Sequence, residues 1–517
     1  MGKVIKFLKI ILPILFLSFF TIILRLYKLE ELFYFSYDES IPAFVSKRLI
    51  EDNHIGLIGG VTPFGFHLTP YFYWFLAFIL KLGNFDPIAW GYTSAFISVL
   101  TVITIFVIGN NFAGRKTAFI ASSIWAFSYL ANLYDRRLWA LYWGPLIALL
   151  TIYSLSKIIA GKRKYIYVLT FVLILGFSAD PSNLIFFGLT VVCFLVYKIK
   201  IKKDVFIALL IFLLSLLPLV VFDLRHNFAN LRPVLNYSKQ ANIETNSFGK
   251  IASDNVLIFP RSFARLMYVF GDGEVSKQYS YCTNYIEEKF SKIPFALVLS
   301  AAFVLLWFLY KNLLKKDGKW NLIAATIALY FIGIQLFGTL FKSDVFEHYT
   351  SALLPLYALI TGKLTKNLPR SVWLAVLALF IFLNLYKLNI AENKIGQGVK
   401  KQAINYVQQN TKSVDFSLEA LSSCWRYSGF RYLFSAYGRE PVKSYVDPNL
   451  AYLYRMPVAK IHPNTVAVFV VHDFNLETDN FYKKYALYKS HERQGKLFGN
   501  IEVILMDNSS KWFDKVN

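Results

Sequence analysis

The sequence predicts an α-helical polytopic membrane protein with about eleven spans, additional interfacial helices and a small C-terminal extracytoplasmic α/β domain. Three observations lead to this prediction. Hydrophobic residues make up 56% of the 517 positions and the mean hydropathy is +0.45, which is too apolar for a soluble domain of this size. Apolar runs suited to crossing a bilayer recur throughout the first three quarters of the chain. Two runs rich in β-branched residues, 465–471 and 501–506, follow them.

The apolar runs are separated by short polar links, and each run suits a membrane-spanning helix. They lie near 10–27, 90–108, 117–133, 144–160, 165–179, 183–197, 205–222, 293–310, 320–341, 348–362 and 371–389. Together they define a predicted transmembrane domain over residues 1–390.

Basic residues set the predicted orientation of these spans. The net charge is +23, and most Lys and Arg residues lie in links that follow alternate spans. The positive-inside rule places these links and the N-terminus in the cytoplasm. In a soluble protein such a charge would suggest nucleic acid, but here topology and anionic membrane lipids account for it. We therefore expect a multi-pass protein of the cell membrane with no nucleic-acid partner.

The segment from His67 to Leu82 decides how many times the chain crosses the membrane. It is apolar, but counting it as a span would put every later basic link outside. We interpret it as a helix in the outer interface, where its aromatic residues are favoured. It belongs to a first outer loop, 28–89, and a long outer loop covers 223–292. Residues 391–517 then emerge outside as the α/β domain.

Two adjacent carboxylates, Asp38 and Glu39, follow the first span at the outer membrane face. Acids at this depth are costly unless they are paired, hydrated or used. One interpretation is a helix cap, because apolar residues recur at helical spacing from Ile41 to Leu49 and acids suit a helix N-terminus. The other interpretation is chemistry, because further acids and cations are predicted on the same face.

Those further groups lie within a few residues of the outer helix ends. They are Asp135, Arg136 and Arg137 after the third span, Asp180 after the fifth, Asp223, Arg225 and His226 after the seventh, and Lys342, Glu347 and His348 between the ninth and tenth. One interpretation of each group is interfacial anchoring, in which an acid pairs with a neighbouring Arg. Taken together, they describe a pocket with carboxylates to accept a proton and cations to hold a phosphate.

This combination suits the transfer of a sugar from a lipid phosphate. A carboxylate would deprotonate the acceptor hydroxyl as it attacks the anomeric carbon. Guanidinium groups would stabilise the leaving phosphate in a partly dry site. A lipid monophosphate leaving group does not demand a metal, so no cofactor is expected to be obligatory. A divalent metal held by Asp38, Glu39 or Asp135 is the alternative.

The order and shared sidedness of these motifs resemble the GT-C superfamily of integral-membrane glycosyltransferases. The resemblance is to family 39, which includes protein O-mannosyltransferases and lipid A aminoarabinose transferases. It rests on five features over roughly the first 390 residues: Asp38-Glu39 directly after span one, a Pro-containing amphipathic helix at 63–82, Asp-Arg-Arg-Leu-Trp at 135–139, Phe-Asp-Leu-Arg-His-Asn at 222–227 and Glu-His-Tyr at 347–349. The Trp-Trp-Asp signature of oligosaccharyltransferases is absent, which disfavours en bloc glycan transfer to Asn.

The resemblance implies roles for individual residues. Asp38 would be the catalytic base, and Glu39 would help to orient the acceptor. The donor phosphate would be bound by residues drawn from Arg136, Arg137, Arg225, His226, Lys342 and His348. Asp135, Asp180, Asp223 and Glu347 are further candidate acids.

The sequence also departs from the family pattern. The family's His-Pro-Pro before the interfacial helix appears only as His-Leu-Thr-Pro at 67–70, and Ala-Asp-Pro-Ser stands at 179–182 where relatives often have His-Pro. These departures leave the donor sugar and the acceptor, which could be protein, lipid or glycan, undetermined.

Two other function classes stay open at this level. A glycan polymerase or ligase with a lipid-diphosphate donor would also use Arg-rich outer loops. A transporter or lipid flippase would place polar groups in mid-membrane and break its helices with Gly and Pro. Here most runs are uninterrupted and their polar groups crowd one end, which favours the transferase.

Overall fold

Helices dominate the structure, a computed structural model that describes residues 2–516 except 63, 138, 241–247, 271–292, 316–318, 341–346, 413, 423–428, 455–456 and 473–477. In chain order the first eighteen described α-helices are α1 (Gly2–Leu26), α2 (Leu29–Leu32), α3 (Tyr37–Glu51), α4 (Tyr71–Leu82), α5 (Ile88–Ala113), α6 (Arg115–Phe127), α7 (Tyr129–Tyr134), α8 (Gly144–Ile159), α9 (Tyr165–Ala179), α10 (Ile185–Val196), α11 (Lys203–Ser215), α12 (Leu217–Arg225), α13 (Leu231–Gln240), α14 (Phe248–Met267), α15 (Phe295–Asn312), α16 (Lys319–Leu340), α17 (Leu354–Thr365) and α18 (Arg370–Asn389). Short 3-10 helices cover Ala140–Trp143, Pro181–Leu184 and Glu347–Leu353.

Each predicted apolar run is helical, although some are divided. The third run is split into α6 and α7 at Ser128, whose hydroxyl accepts a hydrogen bond from the backbone N–H of Ala131. The seventh is split into α11 and α12 just before Pro218, which has no N–H to donate. Within the described residues, seven helical stretches are long and apolar enough to cross a membrane, by length and composition: 8–26, 88–113, 140–159, 203–225, 295–312, 319–338 and 370–389. The predicted helical membrane fold is thus confirmed, while its orientation stays a prediction.

The centre of the helical part is α6, which is buried along most of its length. Small residues let its neighbours approach closely. A side chain at Gly109 of α5 would meet the backbone of Ala118, and one at Gly362 of α17 would meet the carbonyl oxygen of Thr117. Close backbone approach through small residues is the usual way in which helices pack inside a bilayer.

The chain beyond residue 390 contains a mixed five-stranded sheet. After α19 (Gln397–Thr411), the strands are β1 (Phe416–Ser422), β2 (Lys443–Ser444), β3 (Thr465–Val471), β4 (Glu492–Phe498) and β5 (Ile501–Asp507), in the spatial order β2-β1-β3-β5-β4. Further helices are α20 (Phe430–Tyr437), α21 (Asp447–Leu450), α22 (Asp479–Ser490) and α23 (Phe513–Val516). β1 pairs in parallel with β2 and β3, whereas β5 is antiparallel to both of its neighbours. The predicted C-terminal α/β domain is present, with both predicted strands in place.

This C-terminal domain packs directly on the segment 28–89, the predicted first outer loop. Phe33, Phe35 and Phe44 of the loop belong to the same buried apolar cluster as residues of α19, α20 and the sheet. Hydrogen bonds also join the two parts: Tyr432 Oη donates to the Phe85 carbonyl at 3.0 Å, and Tyr437 Oη donates to Asp86 Oδ1 at 2.8 Å. The loop that carries Asp38 and Glu39 is therefore enclosed from the C-terminal side.

Within its described residues, the predicted long outer loop contains α13 and α14. Helix α14 packs into the transmembrane core: Ile258, Phe259, Phe263 and Leu266 are buried with residues of the membrane helices. These residues recur at spacings of one, four and three along one face of a helix, which explains why α14 docks.

Candidate active site

The candidate site is built around the start of α3. Ser36 is its N-cap: the backbone N–H of Ser36 donates to Glu39 Oε2 at 3.0 Å, and the Ser36 hydroxyl donates to the same oxygen. This capping box fixes the first turn of the helix. Glu39 is buried and its neighbour Asp38 is exposed. The cap interpretation therefore accounts for Glu39 and leaves Asp38 facing outward from the same turn.

Glu39 also forms a buried ion pair with Arg137. Arg137 Nε contacts Glu39 Oε1, and both side chains are at most 5% exposed. The guanidinium group lies over the rings of Tyr34 and Trp139, at 4.8 and 4.5 Å from their centroids. Aromatic faces attract a cation that is withdrawn from water, so the Arg137 side chain is held on three sides.

A second buried ion pair lies beside the first. Arg265 Nη1 of α14 is 2.9 Å from Glu347 Oε2, and both side chains are at most 4% exposed. The next residue, His348, is buried with its ring 5.0 Å from that of Trp139, and the charges of both Arg137 and Arg265 act on it. Trp139 therefore lies between Arg137 and His348 and links the two ion pairs through ring contacts.

Asp180 is a second carboxylate whose charge acts on the same tyrosine as that of Asp38. It caps the 3-10 helix Pro181–Leu184 by accepting a hydrogen bond from Ser182 N at 2.8 Å. Burial raises the pKa of Asp180 to about 6. The charges of Asp38 and Asp180 both act on the phenol of Tyr349, and the charge of Asp38 also acts on Tyr73 of α4. Both carboxylates thus lie within electrostatic range of Tyr349, whose ring is 4.7 Å from that of His348.

The arrangement combines fixed cations with carboxylates of different exposure. Arg137 and Arg265 keep their charges in a low-dielectric setting, where electrostatic interactions are stronger than in water. The exposed carboxylate of Asp38 lies at a helix N-terminus, where a negative charge is stabilised. Such a site can attract an anionic group to its cations and offer a carboxylate as a proton acceptor.

Two other predicted site residues, Asp135 and Arg136, form contacts that hold helices together. Asp135 pairs with Arg25 of α1 at 2.9 Å and accepts a hydrogen bond from Ser98 of α5 at 2.6 Å. Arg136 donates to the carbonyls of Leu24 and Lys28 at the end of α1, at 2.7 and 3.2 Å. These bonds tie α1 to α5 and to the end of α7. The successive residues of the 135–137 segment thus point to different partners.

The predicted residues that follow the seventh run lie in a separate turn. Asp223 accepts a hydrogen bond from Asn230 N at 2.7 Å. Arg225 and His226 are exposed, and the His226 ring stacks on Phe222 at 4.2 Å. The described contacts of this turn lead to the hairpin around His67, through Asn230, and not to Arg137 or Arg265. Lys342 lies outside the described residues.

No metal-binding group is formed by the described parts of the chain: no three His, Cys, Asp or Glu residues there are placed to hold one ion. The carboxylates of Glu39 and Asp135 are already engaged by Arg137 and Arg25. The prediction that no metal is obligatory, with a divalent metal as the alternative, stays a prediction to be tested.

Comparison with solved structures identifies the fold. No protein-family model matches the chain, and no curated protein matches its sequence. The crystal structure of ArnT from Cupriavidus metallidurans bound to undecaprenyl phosphate superposes with a TM-score of 0.59 over 98% of both chains, at 9% identity. The apo structure of the same protein gives a TM-score of 0.56 over 99% of this chain and 98% of ArnT, also at 9% identity.

The chain has the fold of ArnT. Because ArnT is a member of the GT-C superfamily, the resemblance read from the ordered motifs is confirmed at the level of the fold. The likeness extends over nearly the full length of both chains, so the C-terminal domain is part of the shared architecture.

Sequence reasoning missed two buried cations: Arg265, which pairs with Glu347, and Lys400, whose Nζ donates a hydrogen bond to the carbonyl oxygen of Phe35 just before α3. Arg265 lies in the predicted long loop, although the apolar spacing from Ile258 to Leu266 indicates a buried helix face next to it. Lys400 falls at a spacing of three, four and seven from Ala403, Ile404 and Val407, on the apolar stripe of α19. A lysine on such a stripe is a signal for a buried cation.

Proposed function

We propose that this chain is an integral-membrane glycosyltransferase. It transfers a sugar, mannose-like, from a polyprenyl-phosphate donor to a hydroxyl group of an acceptor on the outer face of the membrane. The observation that carries the proposal is the joint presence of exposed Asp38 and the buried cations Arg137 and Arg265, in the fold of a protein crystallised with undecaprenyl phosphate.

Each group has a distinct role in the proposed reaction. Asp38 removes the proton of the acceptor hydroxyl, whose oxygen forms the new bond to the anomeric carbon of the sugar. The bond between that carbon and the donor phosphate oxygen breaks, and polyprenyl phosphate leaves with the electron pair. Arg137, Arg265 and His348 stabilise the charge that develops on the phosphate, because they are pre-arranged in a site with little water. Glu39 holds Arg137 and the first turn of α3 in place.

The donor is proposed to bind with its chain in the bilayer beside the apolar helices and its phosphate toward Arg137. Membrane lipids surround the helices that have exposed apolar faces, such as α11 and α15. This places the reacting carbon at the membrane surface, where an acceptor protein, lipid or glycan can approach the exposed Asp38.

The first test compares membranes that contain wild-type protein, Asp38→Asn or Asp204→Asn. Asp204 is the matched control, since it also lies in the first turn of a helix, α11, but is paired with Arg163 at 2.5 Å. Labelled polyprenyl-phosphate sugars, mannose first, are supplied, and label is followed into acceptors. Transfer by wild type and by Asp204→Asn, with loss of most of the rate in Asp38→Asn, supports the proposal.

Other results have definite meanings. If transfer survives in Asp38→Asn, the proposed reaction is retained, and the role of base is assigned to Asp180, the other carboxylate of the site. Transfer only from diphosphate donors identifies a glycan polymerase or ligase. Protein that takes up labelled lipid across a bilayer without transferring sugar is a transporter.

A further inference from the structure

The C-terminal domain places a buried lysine against the start of α3. Lys400, in α19, is 1% exposed and donates a hydrogen bond from Nζ to the carbonyl oxygen of Phe35 at 2.5 Å. Phe35 precedes Ser36, the N-cap residue of the helix that carries Asp38. The ammonium group also lies near the rings of Tyr34 and Phe430, at 5.7 and 5.3 Å.

Two charged groups act on Lys400. Glu39 of α3 attracts the ammonium group, and Arg137, which follows α7, repels it. Of the two acids on α2, Glu30 contacts the neighbouring Lys401 at 3.3 Å. Burial and the repulsion by Arg137 outweigh the attraction by Glu39 and lower the pKa of Lys400 to about 7.

A lysine in this position is costly as a packing residue. Burial of a cation is unfavourable unless hydrogen bonds and counter-charges compensate it, and a methionine of similar length would fill the same space without that cost. Lysine is almost never fully buried unless it is paired. The hydrogen bond from Lys400 to the Phe35 carbonyl and the attraction of Glu39 both act on one short segment, residues 35–39.

We propose that Lys400 is a positioning residue through which the C-terminal domain fixes the first turn of α3, and with it Asp38, in the orientation that the transfer reaction needs. This inference rests on the proposed function for its catalytic consequence. Its structural part, a segment held by Lys400, does not depend on the reaction.

The experiment compares Lys400→Met with Lys401→Met, a matched control that removes an adjacent, partly exposed lysine. Two quantities are measured: hydrogen exchange of the amides in residues 33–41, and the kcat and KM of transfer across pH 5.5–8.5. Lys400→Met is expected to speed exchange in 33–41 and to lower kcat about 10- to 100-fold, since small displacements of a reacting group cost that much. The KM for the donor is expected to stay close to wild type.

The pH dependence follows from the charge on Lys400. Below its pKa the ammonium group donates a charge-assisted hydrogen bond and attracts Glu39; above it the neutral amine holds the segment less strongly. Wild-type kcat should therefore fall as the pH rises through about 7, and this limb should be absent in Lys400→Met. If Lys400→Met does not fold, Lys400→Arg replaces it, because a guanidinium group stays charged and should move the limb to higher pH.

The outcomes separate the two proposals. Exchange in 33–41 that is the same in Lys400→Met and Lys401→Met overturns the role of Lys400, whatever the activity. If Lys400→Arg is used instead, a fall of kcat at the same pH as in wild type also overturns the role of Lys400. Faster exchange in Lys400→Met, with no transfer by wild-type protein from any monophosphate donor, supports the positioning role and contradicts the proposed function instead.

Discussion

At the scale of single residues, the two adjacent acids of α3 differ because consecutive residues of a helix point about 100° apart. Glu39 points inward, completes the capping box and binds Arg137, whereas Asp38 points outward. The sequence shows the acid pair but not which member is buried. That depends on a tertiary contact with Arg137, which lies about a hundred positions further along the chain. One carboxylate is thus part of the buried site, while its neighbour has the exposure that the proposed base needs.

Arg137 and Glu39 should affect lipid binding in opposite ways. Arg137→Gln removes a charged donor, and we expect polyprenyl phosphate to bind roughly 10- to 100-fold more weakly, as a lost charged hydrogen bond costs about 1.5–3 kcal/mol. Glu39→Gln keeps the capping geometry, because Gln serves at this position too, and leaves Arg137 more attractive to an anion. It should bind the lipid at least as tightly as wild type. Titration of purified protein with undecaprenyl phosphate checks both; equal weakening by both variants would contradict the assignment.

Asp180 should make the fold less stable as it ionises. Its native pKa of about 6 exceeds the unfolded value of about 3.9, so the folded state holds the proton more tightly. Stability contributed by this group therefore falls as the pH rises from about 4 to 6. Asp180→Asn, which can still cap Ser182, should unfold at a higher temperature than wild type above pH 6, with the difference shrinking toward pH 4.

Asp204 serves as the control for that measurement, because its contribution to stability should change with pH in the opposite direction. The hydrogen bond from Arg163 lowers the pKa of Asp204, so its contribution is present above pH 4 and is lost as the pH falls. Asp204→Asn should lower the unfolding temperature at pH 7, by an amount that shrinks as the pH falls below about 4. Fluorescence-detected thermal unfolding in detergent measures both variants. An Asp180→Asn protein that is less stable than wild type at pH 7 would contradict the assigned burial cost.

At the scale of elements, the apolar runs predicted the membrane helices because burial in lipid imposes length and composition. The same criterion missed α14, since a helix that packs on protein needs only one apolar face. Pro260 inside α14 also reads as a break in the sequence. Arg265 was consequently not predicted as a site residue, although it supplies one of the two buried ion pairs described for the candidate site.

Helix packing in the centre should be sensitive to a single methyl group. A Cβ at Gly362 would lie 2.7 Å from the carbonyl oxygen of Thr117, whereas one at Gly188 of α10 would meet nothing within 4 Å. Gly362→Ala should therefore destabilise the protein by about 1–3 kcal/mol through overpacking. Gly188→Ala should leave stability unchanged or raise it slightly, because Ala is the better helix former. Thermal unfolding of both variants in one detergent measures the two effects. A Gly362→Ala protein as stable as wild type would contradict the close approach of α6 and α17.

At the scale of the whole molecule, the sequence predicted two parts, at 1–390 and 391–517, and the apolar core crosses between them. Helical and β-branched periodicities are local, so they predict elements and their order. Contacts between distant segments, such as Lys400 with Phe35, follow from the tertiary arrangement and leave no local signal beyond a polar residue on an apolar stripe. The site thus joins described residues from six regions of the chain: 34–39, 137 with 139, 180, 265, 347–349 and 400.

The docking of the C-terminal domain should be as necessary for activity as the acids themselves. Gly429 has a φ of +56°, and a Cβ there would lie 2.7 Å from the carbonyl oxygen of Ser36. Gly161 has a φ of +82° with nothing within 4 Å of a Cβ, so it carries the backbone strain without the contact. Gly161→Ala and Gly429→Ala should each lose about 1–2 kcal/mol to the left-handed backbone, but only Gly429→Ala should push the domain off the start of α3.

We therefore expect Gly429→Ala to lower transfer at least tenfold and to speed hydrogen exchange in residues 33–41, with Gly161→Ala close to wild type in both. A tenfold loss corresponds to about 1.4 kcal/mol, which a forced shift of the Ser36 carbonyl would exceed. Because the first turn of α3 is fixed from both sides, by Arg137 within the helical part and by Lys400 in the C-terminal domain, loosening either contact should expose the same amides. Slow exchange in 33–41 for Gly429→Ala, together with full activity, would show that the domain is dispensable for the site and that the helices alone hold Asp38.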